Sequence, residues 1–522
     1  MARVVYSQFY NGLNSWPGRL FEVWSGSPVL TQTATTLTIQ YAAGHPFAGF
    51  RIVATGTGFT YSGTDVTGGN MSMIRVLDSA GRTVLTIDQI PPNTLASDLA
   101  QIVSSAAGWS DGSGGGAGPD GFLAWSQLLS GNDTVLGTGG NDHRSLLGVN
   151  GGNDVFHMGA GDDWVVGGIG NDTINGGLGW DGLDYSNTSW GGEGNSAFRG
   201  ISINMATGIA IDPWGGTDRF SGIEEVFGSR FNDNFVGSAG RDRFAGLRGN
   251  DTFSGGAEQD TIDYSQDRWY GGQRGIVVDL ETSVSGGNII GFVRDGFGNT
   301  DRTINIERVI GTAFDDIFVG SRDRNVFWGG EGRDSYDGGA GNDGIRFGRN
   351  FTGAAQVGVN VDLRLATGQV INDGFGNTET AINIENVEGS NLADRIMGNF
   401  KDNSIAGGDG ADTMFGGAGA DYFEWWDRAH FGDGDVVLDF KSSTVTAAHD
   451  YLSFDHTAFA GMTTTATLVN GTAATSAVGT FVFNTANDIL YWDSDGTGGN
   501  AMVAIVRLAG VGVLSVADFD LY

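Results

Sequence analysis

Acidic residues return along this chain at a fixed step of nine, and an apolar residue follows each of them two places on. In GGIGNDTINGGLGWDGLD (residues 167–184) the acids are Asp172 and Asp181, and their followers are Ile174 and Leu183. The register runs through four blocks. The first holds Asp133, Asp142, Asp154, Asp163, Asp172 and Asp181, with one three-residue insertion after Asp142. The second holds Asp233, Asp242, Asp251 and Asp260; the third Asp316, Asn325, Asp334 and Asp343; the fourth Asp394, Asn403, Asp412 and Asp421. Of the followers, only Arg144 is not apolar or aromatic.

A period this short leaves few options. Glycines before each acid permit left-handed backbone and a tight turn. The residues around the apolar follower are long enough for one short strand with that side chain inward. Nine residues then make half a coil and eighteen a full turn of a flattened solenoid, so the acid at n lies over the acid at n+18. Asp154 would stack on Asp172, and Asp163 on Asp181. Stacked carboxylates need neutralising, and turn carbonyls beside carboxylates make an oxygen-only cage that suits a hard cation, Ca²⁺ above all. A flexible linker would have no use for a periodic Phe, Ile or Val.

Composition agrees. Glycine contributes 90 of 522 residues, yet 32 Phe and 13 Trp argue for an ordered core. The formal charge of −33 removes the basic face that nucleic acid requires. With no cysteine, disulfides and thiolate metal sites are excluded, and bound metal becomes the substitute staple. No stretch has the ~20 apolar residues of a membrane span, and the N-terminal residues lack the apolar run of a cleaved leader.

The repeat resembles the RTX family of glycine-rich nonapeptides, GGxGxDxUx; good copies are GGIGNDTIN (167–175), GGEGRDSYD (329–337) and GGAGADYFE (416–424). The resemblance implies Ca²⁺ held between turns of a parallel β-roll by the Asp carboxylates and glycine-loop carbonyls. Carried onto this chain, the ligands are Asp133, Asp154, Asp163, Asp172, Asp181, Asp233, Asp242, Asp251, Asp260, Asp316, Asp334, Asp343, Asp394, Asp412 and Asp421. The pairs of Asn325 with Asp343 and of Asn403 with Asp421 each lose a charge.

The blocks themselves repeat. GSRFNDNF, GTAFDDIF and GSNLADRI begin at residues 228, 311 and 389. Upstream lie the alternating segments ISINMATG, IVVDLETS and VNVDLRLATG, which predict half-buried strands. After them come DPWGGTDR, DGFGNTDR and DGFGNTET, which predict turns. These wider coils are expected to continue the solenoid. Glu224, Glu307 and Glu385 recur at one place, either as further cation ligands or as exposed residues on a coil.

The expected architecture is mainly β. A small β-rich (α+β) domain of unassigned role occupies residues 1–129. Calcium-binding roll modules with a super-repeat of roughly 80 residues occupy 130–423. A β-rich cap and secretion region occupies 424–522. That last part resembles the region after the repeats in type I secretion substrates such as the serralysin metalloproteases. The matching segments are DVVLDF (435–440), ILYWDSDGTG (489–498) and DFDLY (518–522). The resemblance implies an uncleaved C-terminal export signal, the type I secretion machinery as partner and an extracellular location. DSDG at 493–496 is not an EF-hand, because position 12 would be Ala504; it predicts a hairpin turn.

In residues 1–129, alternating runs predict strands, with a hairpin turn at 78–81, and helices are expected over 91–106 and 122–129. No HExxH or GxSxG occurs, and His45 alone precedes the repeats. Glu22, Asp65, Asp78 and Asp88 could supply acid–base pairs, as any acidic domain could. The favoured expectation is a non-catalytic, secreted, Ca²⁺-loaded structural or adhesive protein of a surface layer, matrix or fibre, which self-assembles or attaches to a cell surface or polysaccharide. Its rival is a small extracellular enzyme acting on polysaccharide, with its site in the N-terminal domain.

Overall fold

The computed structural model describes residues 3–6, 29–33, 36–40, 51–62, 65–77, 83–88, 132, 134–136, 141, 151–186, 197–348, 357–426, 431–445 and 449–522. Both expected N-terminal helices, His45, Glu22, Asp78, Asp133 and Arg144 lie outside them. The chain forms two compact units, Met1–Glu258 and Gln259–Tyr522. Among the described residues there is no α-helix, and strands dominate.

The eighteen-residue coil is borne out. In the first unit Val155–Ala160 pairs in parallel with Thr173–Leu178, and Trp164–Val165 with Gly182–Asp184. Successive nonapeptides thus alternate between two parallel sheets. Phe156 registers with Ile174, eighteen residues on. The apolar followers within the described residues fill the space between the sheets, each 2 % exposed or less. Phe235 stacks on Phe253 at 4.9 Å and 12°, with Phe244 entering from the other sheet at 5.2 Å from Phe235. In the second unit Phe318 stacks on Tyr336 at 5.2 Å and 5°. Burying one such side chain contributes about 1.5–3 kcal/mol, repeated at every coil.

The segments between blocks continue the roll, but by an unexpected route. Ser202–Asn204, Ile209–Ile211 and Thr217–Ser221 form an antiparallel meander. Its last strand pairs in parallel with Thr173–Leu178 below, and its first with Asn234–Val236 above. The meander therefore sits inside the stack in reversed order. In the second unit, Asn360–Asp362, Val370–Asn372 and Thr380–Ile382 repeat this arrangement between Ser335–Asp337 and Arg395–Met397. DPWGGTDR, DGFGNTDR and DGFGNTET, expected as turns, are turns only at their start; each ends in a strand, Thr217–Ser221, Thr300–Ile304 and Thr380–Ile382. The stack fixes this, because an open coil edge would leave backbone groups unpaired.

Toward the N-terminus of the first unit, Val29–Gln32, Thr36–Gln40, Arg51–Ser62, Asp65–Leu77 and Thr83–Asp88 make an antiparallel meander. Arg3–Tyr6 joins it to the roll, pairing with Thr83–Asp88 and in parallel with Thr134–Leu136. At the other end of the chain, Asp435–Val437 pairs with Val503–Leu508, and Tyr451–Phe454 with the terminal Phe519–Leu521. Ile489–Asp493 and Val503–Leu508 form the hairpin expected around DSDG. Asp518 is fully buried and accepts hydrogen bonds from Ser442 Oγ, Ser443 N and Ser515 N at 2.7–2.8 Å.

Candidate metal sites

Each acid of the repeat ends a glycine loop and opens a strand. In GGLGWD the glycines at 177 and 179 have φ of 116° and 136°, which a side chain would resist. Their missing Cβ atoms would overlap the carbonyl oxygens of Gly159 and Gly161 in the coil beneath. The loops therefore stack with carbonyl oxygens and carboxylates facing one another along each side of the roll.

The acids form ladders. The backbone N–H of Asp154 donates to Asp172 Oδ1 at 2.8 Å, and that of Asp163 to Asp181 Oδ1 at 2.8 Å. The same n to n+18 bond joins Asp233 to Asp251, Asp316 to Asp334 and Asp394 to Asp412, each at 2.8 Å. Every repeat acid from Asp154 to Asp421 is at most 3 % exposed. Oδ1 is therefore committed, and the question is what the second oxygen meets.

The answer differs among the expected ligands. In Asp172, Asp181, Asp343, Asp412 and Asp421 the second oxygen, Oδ2, is buried with no hydrogen-bond partner. Each of these acids follows a Gly-Gly pair, and Oδ2 faces the first glycine of it. A Cβ on Gly167 would lie 2.8 Å from Asp172 Oδ2, and one on Gly176 2.6 Å from Asp181 Oδ2. At Asp233, Asp242, Asp316 and Asp394 the second glycine is replaced by Ser or Thr, which closes the carboxylate internally. Ser229 N and Oγ both donate to Asp233 at 2.7 Å, and Thr312 N and Oγ1 to Asp316 at 2.7 and 2.9 Å. Ser238 N donates to Asp242 at 2.6 Å and Ser390 Oγ to Asp394 at 2.8 Å. Asp334 has a longer bond, 3.3 Å, from Tyr336 Oη.

A buried carboxylate oxygen without a donor carries a desolvation cost that a cation would remove. Burial pushes Asp172 up to about 9, with the Asp218 charge adding to it. Burial likewise lifts Asp412 to about 8, and Asp343 and Asp421 to about 7. Among the described residues no three His, Cys, Asp or Glu side chains gather into a cage by themselves. Loop carbonyls must supply the remaining ligands, which is hard-cation chemistry. Orphaned oxygen, glycine cradle and carbonyl-rich loop together fit Ca²⁺.

The ladders also include acids that lie outside the nine-residue pattern. Asp172 N donates to Asp218 Oδ1 at 2.9 Å, and Asp334 N to Glu379 Oε1 at 3.2 Å. Asp412 N donates to Asp435 Oδ1, and Asp421 N to Asp450 Oδ1, both at 3.1 Å. The recurring glutamates are not exposed residues on a coil: Glu224 and Glu307 are half-buried and Glu385 is buried, and all three join these ladders. Glu224 accepts from Asp181 N at 2.9 Å, and Glu307 and Glu385 from Asp260 N and Asp343 N at 3.0 Å. The acid six residues after the first Asp of DPWGGTD, DGFGNTD and DGFGNTE was the available signal for Asp218 and Glu379.

Two rungs carry internal donors instead. Asn403 Nδ2 donates to Glu385 O at 2.8 Å, and Asn325 Nδ2 to Glu307 O at 3.4 Å. Lys401 Nζ pairs with Glu385, and Lys441 Nζ reaches Gly417 O at 2.6 Å beside Asp450 at 3.8 Å.

A family model described as RTX calcium-binding nonapeptide repeat (4 copies) matches residues 129–143, 149–183, 227–262, 310–345 and 388–423. No curated protein matches the chain in sequence.

Proposed function

We propose that this chain, which carries RTX calcium-binding nonapeptide repeats between residues 129 and 423, is a secreted structural or adhesive protein whose roll is completed by extracellular Ca²⁺. The observation that carries this is the row of buried, donorless Oδ2 atoms at Asp172, Asp181, Asp343, Asp412 and Asp421, each set against a glycine. We assign ions to these Gly-Gly rungs first. The Ser/Thr-closed acids Asp233, Asp242, Asp316 and Asp394 rank below them, because their carboxylates already have donors.

Calcium binding follows from the repeats, and RTX repeat proteins are typically secreted. Among the described residues no helix is long and apolar enough to cross a membrane. Extracellular calcium modules bind at about 10⁻⁴–10⁻³ M, so the chain stays open in the cytosol and closes outside. The net charge of −33 holds the metal-free chain apart, and binding free energy becomes folding free energy. Export by a type I machine through the C-terminal segment is part of this reading. So is the division into an N-terminal domain, roll and cap.

Light scattering of size-fractionated protein in chelator, then in millimolar Ca²⁺, tests the proposal. Compaction followed by growth into large particles supports a layer or fibre. Compaction to a stable monomer removes self-assembly and leaves attachment. Absence of any response refutes calcium-driven folding.

A further inference from the structure

The loop between Ile489–Asp493 and Val503–Leu508 holds two carboxylate oxygens that no donor answers. Asp493 is 7 % exposed, and its Oδ1 is buried without a hydrogen-bond partner. Two residues on, Asp495 Oδ1 is likewise buried and without a partner, although Asn500 N donates to Oδ2 of the same group at 3.1 Å. Both acids lie outside every segment that the nonapeptide repeat covers. They stand at the tip of an antiparallel hairpin, not on a glycine loop of the roll.

Further oxygen atoms crowd the segment beneath this loop. Asp493 registers with Thr480 across the antiparallel pair of Thr480–Asn484 and Ile489–Asp493, so the two side chains share one face. Thr480 is fully buried; its Oγ1 donates to Val478 O at 2.7 Å and lies 3.5 Å from Ser476 Oγ. The loop comes down onto the same residues. A Cβ on Gly496 would lie 1.9 Å from Ser476 O and 2.6 Å from Val478 O, and Thr497 N donates to Ser476 O at 2.9 Å. Gly498 folds back over Asp495, where a Cβ would lie 2.9 Å from Oδ1.

The hairpin brings no positive side chain to this end. From residue 449 to 522 the sole Lys or Arg is Arg507, and it registers with Ile489 at the opposite end of the hairpin. Two buried carboxylate oxygens left in this way carry a desolvation cost that a cation removes. The spacing has the same logic. With Asp493 as position 1, Asp495 is position 3, Thr497 position 5 and Gly498 position 6, the order of the first half of a calcium-binding loop. The bidentate acid of position 12 is missing, since Ala504 stands there, and the flanks are strands.

We propose that Asp493 and Asp495 together hold one divalent cation, Ca²⁺, at the tip of this hairpin, with hydroxyl and carbonyl oxygens of residues 476–480 in place of the missing second half. An oxygen-only set of this kind suits a hard cation. The site uses no repeat acid and no stacked turn, so it stands or falls apart from the calcium reading of the roll. The ion pins the loop to residues 476–480. Because Val503–Leu508 also pairs with Asp435–Val437, it steadies the hairpin that closes this sheet.

Native mass spectrometry of the full chain in Ca²⁺ counts the ions. D493N and D495N are each expected to lose one ion, and the double variant also one, because both acids serve the same ion. D488N, at the far end of the same strand, is expected to lose none. Variants that keep the wild-type count overturn the site whatever the roll binds, and a double variant that loses two ions refutes a shared one. If the roll proves to hold no calcium, a single ion lost to D493N still upholds the site. Should a variant fail to fold or shed several ions, calcium anomalous scattering from wild-type crystals decides: a peak between Asp493 and Asp495 upholds the proposal, and its absence overturns it.

Discussion

Gly167→Ala separates a metal cradle from a mere turn. Gly167 does not have the left-handed φ of its neighbour Gly168, which is at 86°, so alanine fits its backbone. The three atoms nearest the added methyl all belong to the Asp172 side chain, Oδ2 at 2.8 Å and two carbon atoms at 3.6–3.7 Å. An ordinary contact begins near 3.4 Å, so Oδ2 must retreat by roughly 0.6 Å, about twice the 2.3–2.6 Å spread of Ca–O distances. The oxygen then leaves the cation. Losing one charged partner costs about 1.5–3 kcal/mol, which is a ~10- to 150-fold weaker ion at that rung. In chelator the sign reverses, because a compatible Gly→Ala change stabilises by about 0.4–1 kcal/mol through the unfolded chain. Calcium titration followed by native mass spectrometry, with melting in chelator and in Ca²⁺, reads both effects. An unchanged ion count at intermediate Ca²⁺, with wild-type affinity, would show that Asp172 Oδ2 does not face a cation.

Other perturbations probe other parts of the argument. Phe244→Ala, which removes a ring set 5.2 Å from Phe235 and 6.3 Å from Phe253, is expected to cost about 3–5 kcal/mol; a loss below ~1 kcal/mol in Ca²⁺-saturated unfolding would contradict a packed interior at that coil. Asn403→Asp sets a carboxylate against Glu385 O, where the amide now donates at 2.8 Å. It should destabilise the chelated protein by about 1–3 kcal/mol and add one ion in Ca²⁺, and an unchanged count would refute a cation gap at that rung. In chelator the raised carboxylates, Asp172 to about 9, Asp412 to about 8 and Asp343 to about 7, favour the fold only when protonated. Their contribution is complete below the unfolded value near ~4 and is lost as pH rises through ~7–9. The metal-free chain should therefore be more compact at acid pH than at pH ~8, and equal hydrodynamic radii at the two would count against it.

The coil was legible because its physics is local. The step from Asp172 to Asp181, with Ile174 and Leu183 behind, fixes turn, strand and inward side chain within nine residues. The anchors were legible for the same reason, and so was the hairpin around DSDG. What the pattern could not show was the second contact of each carboxylate. Whether Asp233 and Asp172 differ depends on residue n−4, where Ser229 donates and Gly168 cannot. Asp218 and Glu379 were hidden because their ladder partners lie 46 and 45 residues away; such a spacing is set by an insert rather than by a period. The reversed order of the meander was hidden likewise, since Ser202–Asn204 and Thr217–Ser221 look alike as isolated strands and only their neighbours above and below tell them apart.

That reversal makes the two faces of the stack unequal. In the first unit, one face passes from Thr173–Leu178 through three inserted strands to Asn234–Val236, while the other passes from Gly182–Asp184 through Glu225–Phe227 alone to Arg243–Ala245. The second unit repeats this between Ser335–Asp337 and Arg395–Met397. Neighbouring strands lie ≈ 4.7–4.9 Å apart, so each insert lengthens one face by two spacings, about 9–10 Å. A pile of equal bricks is straight, but a brick thicker on one side is a keystone. Each meander has that form, so the difference in length between the two faces is written in the number and place of the inserts rather than in any one side chain.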